Sequence, residues 1–329
     1  RAGDYRRADF IIADAKDGDM GSGVTTGGPL YDGQGEAVGW KTRRDYLDQI
    51  TAVVRQDIVD IMLTSVSNFE RLQHEGLYDT SAVKPAIRAN DATDCWGGTR
   101  GSGYAKEKSR PYRTANIAQV MYGHQDGQAG DRITGTDLGL YSITFNNDLD
   151  ADIRSLDAFA AFRENAARLR FTYFLEVFNP NAPVGLASEA VPGFVNDCLL
   201  RCLAGLTQAE RPRFLKIPFN GHRAIAELAE YDPSLVIGVL GGGAGTTRDT
   251  FELLFQAERA GARLALFGRK INLAESPLTL VSFMRRVADG DITPAEAVRA
   301  YHDALSKEGL RPRRGLPADQ EITEAVLRG

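Results

Sequence analysis

Apolar residues along the chain alternate between two spacings, and the alternation predicts strands with helices between them. Dense runs of β-branched and aromatic residues are typical of strands, and eight such runs lie at 8–16, 58–66, 83–91, 138–148, 171–180, 213–221, 235–243 and 262–269. Apolar residues at helical spacing predict helices at 43–56, 68–76, 153–170, 192–206, 222–232, 247–261, 277–290 and 294–309. The last of these opens with Thr293, Pro294 and Glu296, which predict a capping box with proline in the first turn.

Eight strands alternating with helices predict an α/β protein, a single (β/α)8 TIM barrel that spans 1–329. A doubly wound open sheet is the alternative architecture for the same pattern, and the count of eight favours the barrel. Two extra helices and a tail, 276–329, follow the predicted barrel.

The longest irregular stretch, 90–115, follows the third predicted strand and is too long for an ordinary connection. One acidic residue, Glu107, lies among a group of basic ones: Arg100, Lys106, Lys108, Arg110 and Arg113. The stretch is either a solvated loop or a cationic lid over an anionic substrate.

The sixth predicted strand, "RFLKIPFNG", carries one lysine, Lys216, among large apolar residues. The active site of such a barrel lies at the carboxyl ends of its strands. Desolvation favours the neutral form of a lysine amine, and a neutral amine attacks carbonyl groups to form a Schiff base. The alternative is a lysine held in a structural ion pair.

The fifth predicted strand, "FTYFLEVFNP", carries Glu176 between Leu175 and Val177. Burial would suit this carboxylate to general acid and base chemistry near neutral pH. Adjacent strands place Glu176 beside Lys216, and the alternative is that the two side chains only neutralise each other.

Glycines end the seventh and eighth predicted strands, and they indicate an anion site. The seventh strand ends in Gly241, Gly242 and Gly243, and the eighth in Gly268 and Arg269. Glycine lets the backbone approach an anion, helix N-termini offer free N–H groups, and phosphate-binding barrels hold phosphate after strands seven and eight. The alternative is a pair of tight turns.

Charged residues at the end of the first predicted strand supply further candidates. Asp14 could orient a substrate hydroxyl or the reactive lysine, and Lys16 is a second candidate for the iminium. With Asp17 and Asp19 these residues could also form a loose divalent-metal site, although calcium-loop spacing is absent. Arg88 on the third strand and Ser142 on the fourth are further candidate substrate-binding residues.

Composition narrows the class of protein. The chain has 329 residues, a formal net charge of −5, 43% hydrophobic and 25% charged residues. The negative charge argues against a nucleic-acid binder, no apolar stretch is long enough to predict a membrane span, and no secretory pattern is visible. We therefore expect a cytoplasmic enzyme, and closed symmetry makes a homo-oligomer the usual expectation. Three cysteines and scattered histidines predict neither a disulfide framework nor a metal site built from His and Cys ligands.

Five segments in order resemble the class I (Schiff-base) aldolase superfamily, and they are most similar to its tagatose-bisphosphate aldolase branch. They are "FIIADAKDG", "LYSITFNNDLD", "FLEVFNP", "FLKIP" and the "VLGGG" to "LALFGR" region. The resemblance implies that Lys216 forms the iminium, Glu176 is the acid and base, and Asp14 is a polar partner. It also implies that Gly242, Gly243, Gly268 and Arg269 hold a phosphate. The family usually carries a lysine on strand four, where this chain has Ser142.

The expected function is a class I aldolase-like lyase that cleaves or forms a carbon–carbon bond of a phosphorylated ketose, with no cofactor because the iminium is the electron sink. One alternative is a phosphosugar isomerase or epimerase in which Lys216 is only an electrostatic partner. Another is a non-catalytic barrel that binds a phosphorylated metabolite.

Overall fold

Eight parallel strands close into a barrel in the computed structural model, which describes residues 5–32, 34–182 and 185–328. The strands are β1 (Ile11–Lys16), β2 (Ile61–Thr64), β3 (Lys84–Arg88), β4 (Leu138–Thr144), β5 (Thr172–Phe178), β6 (Leu215–Ile217), β7 (Ile237–Leu240) and β8 (Leu264–Phe267). Each pairs in parallel with its neighbours in chain order, and β8 pairs with β1. The closed barrel confirms the predicted (β/α)8 fold and excludes the open sheet.

Helices lie between the strands and after the barrel. The longer ones are α1 (Arg43–Gln56), α2 (Val66–His74), α3 (Ile117–Tyr122), α4 (Leu149–Leu169), α5 (Val191–Ala204), α6 (His222–Tyr231), α7 (Thr247–Arg259), α8 (Pro277–Asp289) and α9 (Pro294–Lys307). Single α-helical turns lie at Asp19–Ser22, Arg269–Asn272 and Leu316–Asp319. The capping box predicted for the last long helix is present, since Glu296 N donates to Thr293 Oγ1 and Thr293 N donates to the Glu296 carboxylate.

Some predicted boundaries are wrong for local reasons. The sixth strand was predicted over 213–221, but β6 ends at Ile217 because Pro218 has no N–H to donate to a neighbouring strand. Two short antiparallel hairpins lie in stretches expected to be loops. One pairs Pro29–Tyr31 with Ala37–Trp40, and the other pairs Asn90–Ala92 with Pro111–Arg113.

The barrel interior changes from apolar to polar at one level. Side chains alternate across a strand, so every second residue faces inward. The lower inward layer is apolar and contains Ala86, Leu140, Phe174 and Phe214, with the last two rings stacked 4.4 Å apart. Two residues further along the same strands, the inward positions are Arg88, Ser142, Glu176 and Lys216. The apolar layer closes the barrel from below, and the polar layer forms the floor of its open mouth.

The long loop after β3 is folded and tied to the barrel. Around its hairpin lie 3-10 turns at Thr93–Gly98 and Tyr104–Lys106, and the Trp96 ring packs edge-on against Tyr104 and Tyr112. The hydroxyls of Ser109 and Thr144 donate to the two oxygens of Asp94 at 2.8 and 2.6 Å. The bond from Thr144 fixes the loop beside the end of β4.

Candidate active site

Ser142, Glu176 and Lys216 lie side by side across three neighbouring strands. Ser142 on β4 is in register with Glu176 on β5, and Glu176 is in register with Lys216 on β6. Because all three positions have the same parity, their side chains point into the mouth of the barrel. The fold therefore brings together residues that are far apart in sequence at one level of the wall.

Glu176 is bound on both oxygens. Lys216 Nζ lies 2.6 Å from Oε1, and Ser142 Oγ donates to Oε2 at 2.6 Å. The carboxylate is 1% exposed and Lys216 is 6% exposed, so the ion pair is shielded from bulk water but open to the cavity. The two side chains are placed for proton exchange between an amine and a carboxylate.

Arg88 links Ser142 to Asp17, which lies on the opposite side of the barrel mouth. Its Nη1 donates to Asp17 Oδ2 at 2.7 Å, and its Nη2 donates to Ser142 Oγ at 2.9 Å and to Cys95 Sγ at 2.8 Å. Burial raises the pKa of the Cys95 thiol to about 12, with the Arg88 charge opposing the rise. Cys95 is therefore a neutral acceptor, and the guanidinium orders Asp17 and Ser142 in one network.

Asp17 is the acid that the first strand contributes to the cavity. Burial alone would raise its pKa, but the charges of Arg88 and Lys216, together with the Arg88 hydrogen bond, hold its pKa below the usual range. Asp17 was named only as part of a loose acidic group at the sequence level. The parity of β1 could have identified it, because Ala13, Ala15 and Asp17 share the inward face.

The structure does not bring Asp14 and Lys16 to the cavity. Both are completely buried on the outward face of β1, where Lys16 Nζ lies 3.4 Å from Asp14 Oδ2 and donates to Gln49 Oε1 at 2.8 Å. Burial raises the pKa of Asp14 to about 6 and lowers that of Lys16, with each charge opposing the shift of the other. The sequence correctly placed both residues toward the carboxyl end of β1. It also predicted that their side chains face the cavity, but they lie on the outward face of the strand.

The glycine-rich ends of β7 and β8 line the same cavity as Lys216. Gly241, Gly242, Gly268 and Arg269 are among its lining residues, whereas Gly243 is not. Gly242 has φ of +65°, and a Cβ at Gly268 would lie 2.9 Å from the Ala15 carbonyl oxygen. Side chains are therefore disfavoured at both turns, and the backbone stays open to the cavity.

The N-terminus of α7 differs from the sequence expectation of free N–H groups. Asp249 N donates to Thr246 Oγ1, and Thr246 N donates back to the Asp249 carboxylate. Thr247 N donates to Asp319 Oδ1 at 2.9 Å. Because these amides are already bound, the glycine turns and Arg269 are the groups here that could hold an anion.

The cavity has a volume of about 590 Å³ and is lined in part by the loop after β3. That loop contributes Asp94, Cys95 and Gly98 to the lining. Its basic residues lie elsewhere, since Lys106, Lys108 and Arg110 border a separate groove and Lys108 pairs with Asp148 at 2.5 Å. The loop forms part of the cavity wall, but its basic residues are not among the described lining residues.

No family model and no curated protein matches this chain, but solved structures match its fold. A fructose-bisphosphate aldolase from Slackia heliotrinireducens has a TM-score of 0.63 at 12% identity, covering 94% of this chain and 90% of that chain. An archaeal fructose-1,6-bisphosphate aldolase, with its catalytic lysine covalently bound to the carbinolamine intermediate of the substrate, has a TM-score of 0.60 at 13% identity, covering 87% and 96%. Cgl0159 from Corynebacterium glutamicum has a TM-score of 0.58 at 19% identity, covering 86% and 87%. The resemblance to class I aldolases is confirmed at the level of the TIM-barrel fold.

Two features of the described residues bear on other classes of function. None of the helices there is both long and apolar enough to cross a bilayer. Within residues 5–32, 34–182 and 185–328, no group of three or more His, Cys, Asp or Glu side chains could hold a metal ion.

Proposed function

We propose that this protein is a class I aldolase-like lyase, which cleaves or forms a carbon–carbon bond of a phosphorylated ketose through a Schiff base on Lys216. The observation that carries the proposal is the 2.6 Å contact between Lys216 Nζ and Glu176 Oε1 inside a cavity that also holds the glycine turns and Arg269. An amine, a proton carrier and an anion site are thus within reach of one small substrate.

The reaction begins when the neutral amine of Lys216 attacks the ketone carbon, and Glu176 takes the proton that the ammonium must lose first. Glu176 returns this proton to the carbinolamine hydroxyl, which leaves as water and gives the iminium. Glu176 then accepts the proton of the hydroxyl two carbons from the iminium carbon. The bond between the hydroxyl-bearing carbon and the carbon next to the iminium carbon breaks, its electron pair passes into the iminium to give an enamine, and the aldehyde leaves. Protonation of the enamine and hydrolysis return Lys216.

Two features of the wall support these roles. Ser142 holds the second oxygen of Glu176 and so directs the first oxygen toward Lys216. The turn after β7 lies next to β6 in the barrel order, and the turn after β8 follows it. An anion held between these two turns would sit on the side of the cavity next to Lys216. Positioning of this kind contributes ~7–11 kcal/mol in favourable cases.

Borohydride reduction tests the proposal. Dihydroxyacetone phosphate and borohydride should add to intact wild-type protein the mass of the probe less one oxygen atom. The Lys216→Met variant should show no addition, and the Lys16→Met variant should behave like wild type. A wild-type protein that turns over or binds phosphosugars without any adduct would contradict the proposal.

The ion pair also fits a phosphosugar isomerase or epimerase, in which Glu176 is the base and Lys216 stabilises charge. That reaction exchanges substrate hydrogen with solvent and gives no borohydride adduct. A non-catalytic barrel would give neither result. Trapping and solvent deuterium exchange, measured on the same preparation, therefore separate the three functions.

The sequence-level expectations of a cytoplasmic location, a homo-oligomer and chemistry without a cofactor stay predictions. Chemistry without a cofactor belongs to the proposal because Schiff-base chemistry draws its electron sink from the lysine itself. Light scattering on the purified full chain measures the oligomeric state directly.

A further inference from the structure

We propose that the aldehyde half of the substrate carries no phosphate, so that the enzyme acts on a ketose monophosphate and releases a phosphorylated ketone and a neutral hydroxyaldehyde. The inference rests on the proposed function. It concerns the charges that the cavity offers on the two sides of Lys216.

The side next to β7 and β8 suits an anion. Gly241, Gly242 and Gly268 expose backbone there, and Arg269 stands at the rim. The Arg269 side chain has no ion-pair partner among residues 5–32, 34–182 and 185–328. A single free cation beside open backbone favours one phosphate near the carbonyl carbon.

The side next to β5, β4 and β3 has a cation, but its charge is already balanced. Arg88 Nη1 lies 2.7 Å from Asp17 Oδ2 and 3.7 Å from Glu176 Oε2. Its Nε lies 3.8 Å from Asp91 Oδ1. Three carboxylates within reach of one guanidinium leave no positive charge for a second phosphate.

A fixed carboxylate occupies the same side. Asp94 lines the cavity, and hydrogen bonds from Ser109 and Thr144 hold both of its oxygens. The neighbouring amide of Asn181 is engaged as well, since its Nδ2 donates to the backbone oxygens of Ala105 and Glu107. Hydroxyl groups can donate to Asp94, whereas a phosphate there would face repulsion between like charges.

The basic residues of the loop do not relieve this repulsion. Lys106, Lys108 and Arg110 border the separate groove with Asp148 and Asp150, on the outside of the loop. Among the described lining residues of the cavity the cations are Arg88, Lys216 and Arg269. Two of these are paired with carboxylates, so the cavity is built for one anion.

In the bond-forming direction the step is balanced by residues already in place. The enamine carbon attacks the aldehyde carbon, and the carbonyl electron pair moves onto the aldehyde oxygen. Protonated Glu176 gives its proton to that oxygen, and the enamine nitrogen becomes the iminium. Water then releases the ketose 1-phosphate and returns the Lys216 amine.

Condensation with two racemic aldehydes tests the inference without knowledge of the sugar's stereochemistry. Wild-type protein charged with dihydroxyacetone phosphate is given glyceraldehyde or glyceraldehyde 3-phosphate. We expect kcat/KM to be at least about tenfold higher for the neutral aldehyde, as for one unfavourable charge contact. Equal use of both, preference for the phosphorylated aldehyde, or reaction with neither would overturn the inference.

The Asp94→Asn variant assigns the preference to its cause. It removes the charge and keeps one acceptor oxygen for one of the two hydroxyls of Ser109 and Thr144, while the other hydroxyl can accept from the new amide nitrogen. The ratio of kcat/KM values should therefore move toward the phosphorylated aldehyde by about threefold or more. Asp150→Asn removes the same charge from outside the cavity and should leave the ratio unchanged. A ratio that both variants shift equally would contradict the role of Asp94.

The borohydride result keeps the two proposals distinguishable. An adduct with dihydroxyacetone phosphate together with preference for the phosphorylated aldehyde overturns only the inference about the second half of the substrate. Absence of any adduct overturns the proposed function and the inference with it.

Discussion

Ser142 Oγ donates a 2.6 Å hydrogen bond to the oxygen of Glu176 that Lys216 does not contact. The same hydroxyl accepts a hydrogen bond from Arg88, so it has a donor on one side and an acceptor on the other. We therefore propose that Ser142 is a positioning residue, which acts on the proposed reaction through the orientation of Glu176.

Replacement of Ser142 by alanine should lower kcat and leave KM nearly unchanged. The lost hydrogen bond leaves Glu176 free to rotate, and a bond of this kind is worth about 0.5–1.5 kcal/mol, or roughly 3–10-fold in rate. Steady-state kinetics of aldol cleavage measure the split. The matched control is Ser155→Ala, because the Ser155 hydroxyl donates only to the Ala151 carbonyl within α4. An unchanged kcat in folded Ser142→Ala protein would refute the positioning role.

Substitution by asparagine should lower kcat strongly at Asp17 and hardly at all at Asp14. Asp17→Asn removes the carboxylate that Arg88 contacts at 2.7 Å in the cavity, and we expect kcat to fall by at least about tenfold. Asp14→Asn changes a residue on the outer face of β1 and should keep kcat within about twofold. Initial rates of both variants, with folding checked by circular dichroism, decide the matter. A larger loss of kcat for Asp14→Asn than for Asp17→Asn would indicate that Asp14 belongs to the active site and would contradict this prediction.

The pH dependence of the free energy of unfolding should reveal the raised pKa of Asp14. Burial raises its pKa to about 6 from an ordinary value of 3.8, so the folded protein binds this proton more tightly than the unfolded chain. The carboxyl group therefore favours folding at low pH, and this contribution is lost as pH rises from about 4 through about 6. Asp14→Asn should gain stability relative to wild type over this window, on the order of 1–3 kcal/mol. Urea unfolding at the two ends of the window measures the difference, and a constant difference would contradict the assignment.

Arg269 should act on binding of the phosphate and little on the chemical step. Arg269→Met should raise KM for the phosphorylated ketone about tenfold, as expected for a lost charge-assisted hydrogen bond. With unphosphorylated dihydroxyacetone the variant and wild type should have the same KM. Arg259→Met removes an arginine of α7 that packs over the Phe255 ring, and it is the control. Equal KM changes with both ketones would show that Arg269 does not bind the phosphate.

The periodic pattern of the sequence predicted the barrel, because strands and helices alternate and the count of eight strands favoured closure over an open sheet. The pattern also predicted that Glu176 and Lys216 lie side by side. Each is a charged residue among apolar ones, and their strands are consecutive in the chain. The pattern was not sufficient for the first strand. Several charged residues follow one another there, and only the side-chain parity of the folded strand separates Asp17 from Asp14 and Lys16.

The orientation of the loop after β3 is a second feature that the sequence did not predict. Its excess of basic residues suggested a cationic cover, yet tertiary hydrogen bonds turn Asp94 toward the cavity, and Lys108 pairs with Asp148 away from it. Local composition does not specify which side of a loop faces a cavity. Contacts with residues remote in sequence, such as Thr144 and Asp148, determine it.

Peptide mapping of the borohydride-trapped protein tests the central claim most directly, because it locates the modified amine. After reduction in the presence of dihydroxyacetone phosphate, we expect one modified lysine, Lys216, in the peptide that contains β6. Modification at Lys16, or no modified lysine in a protein that still cleaves phosphoketoses, would contradict the account.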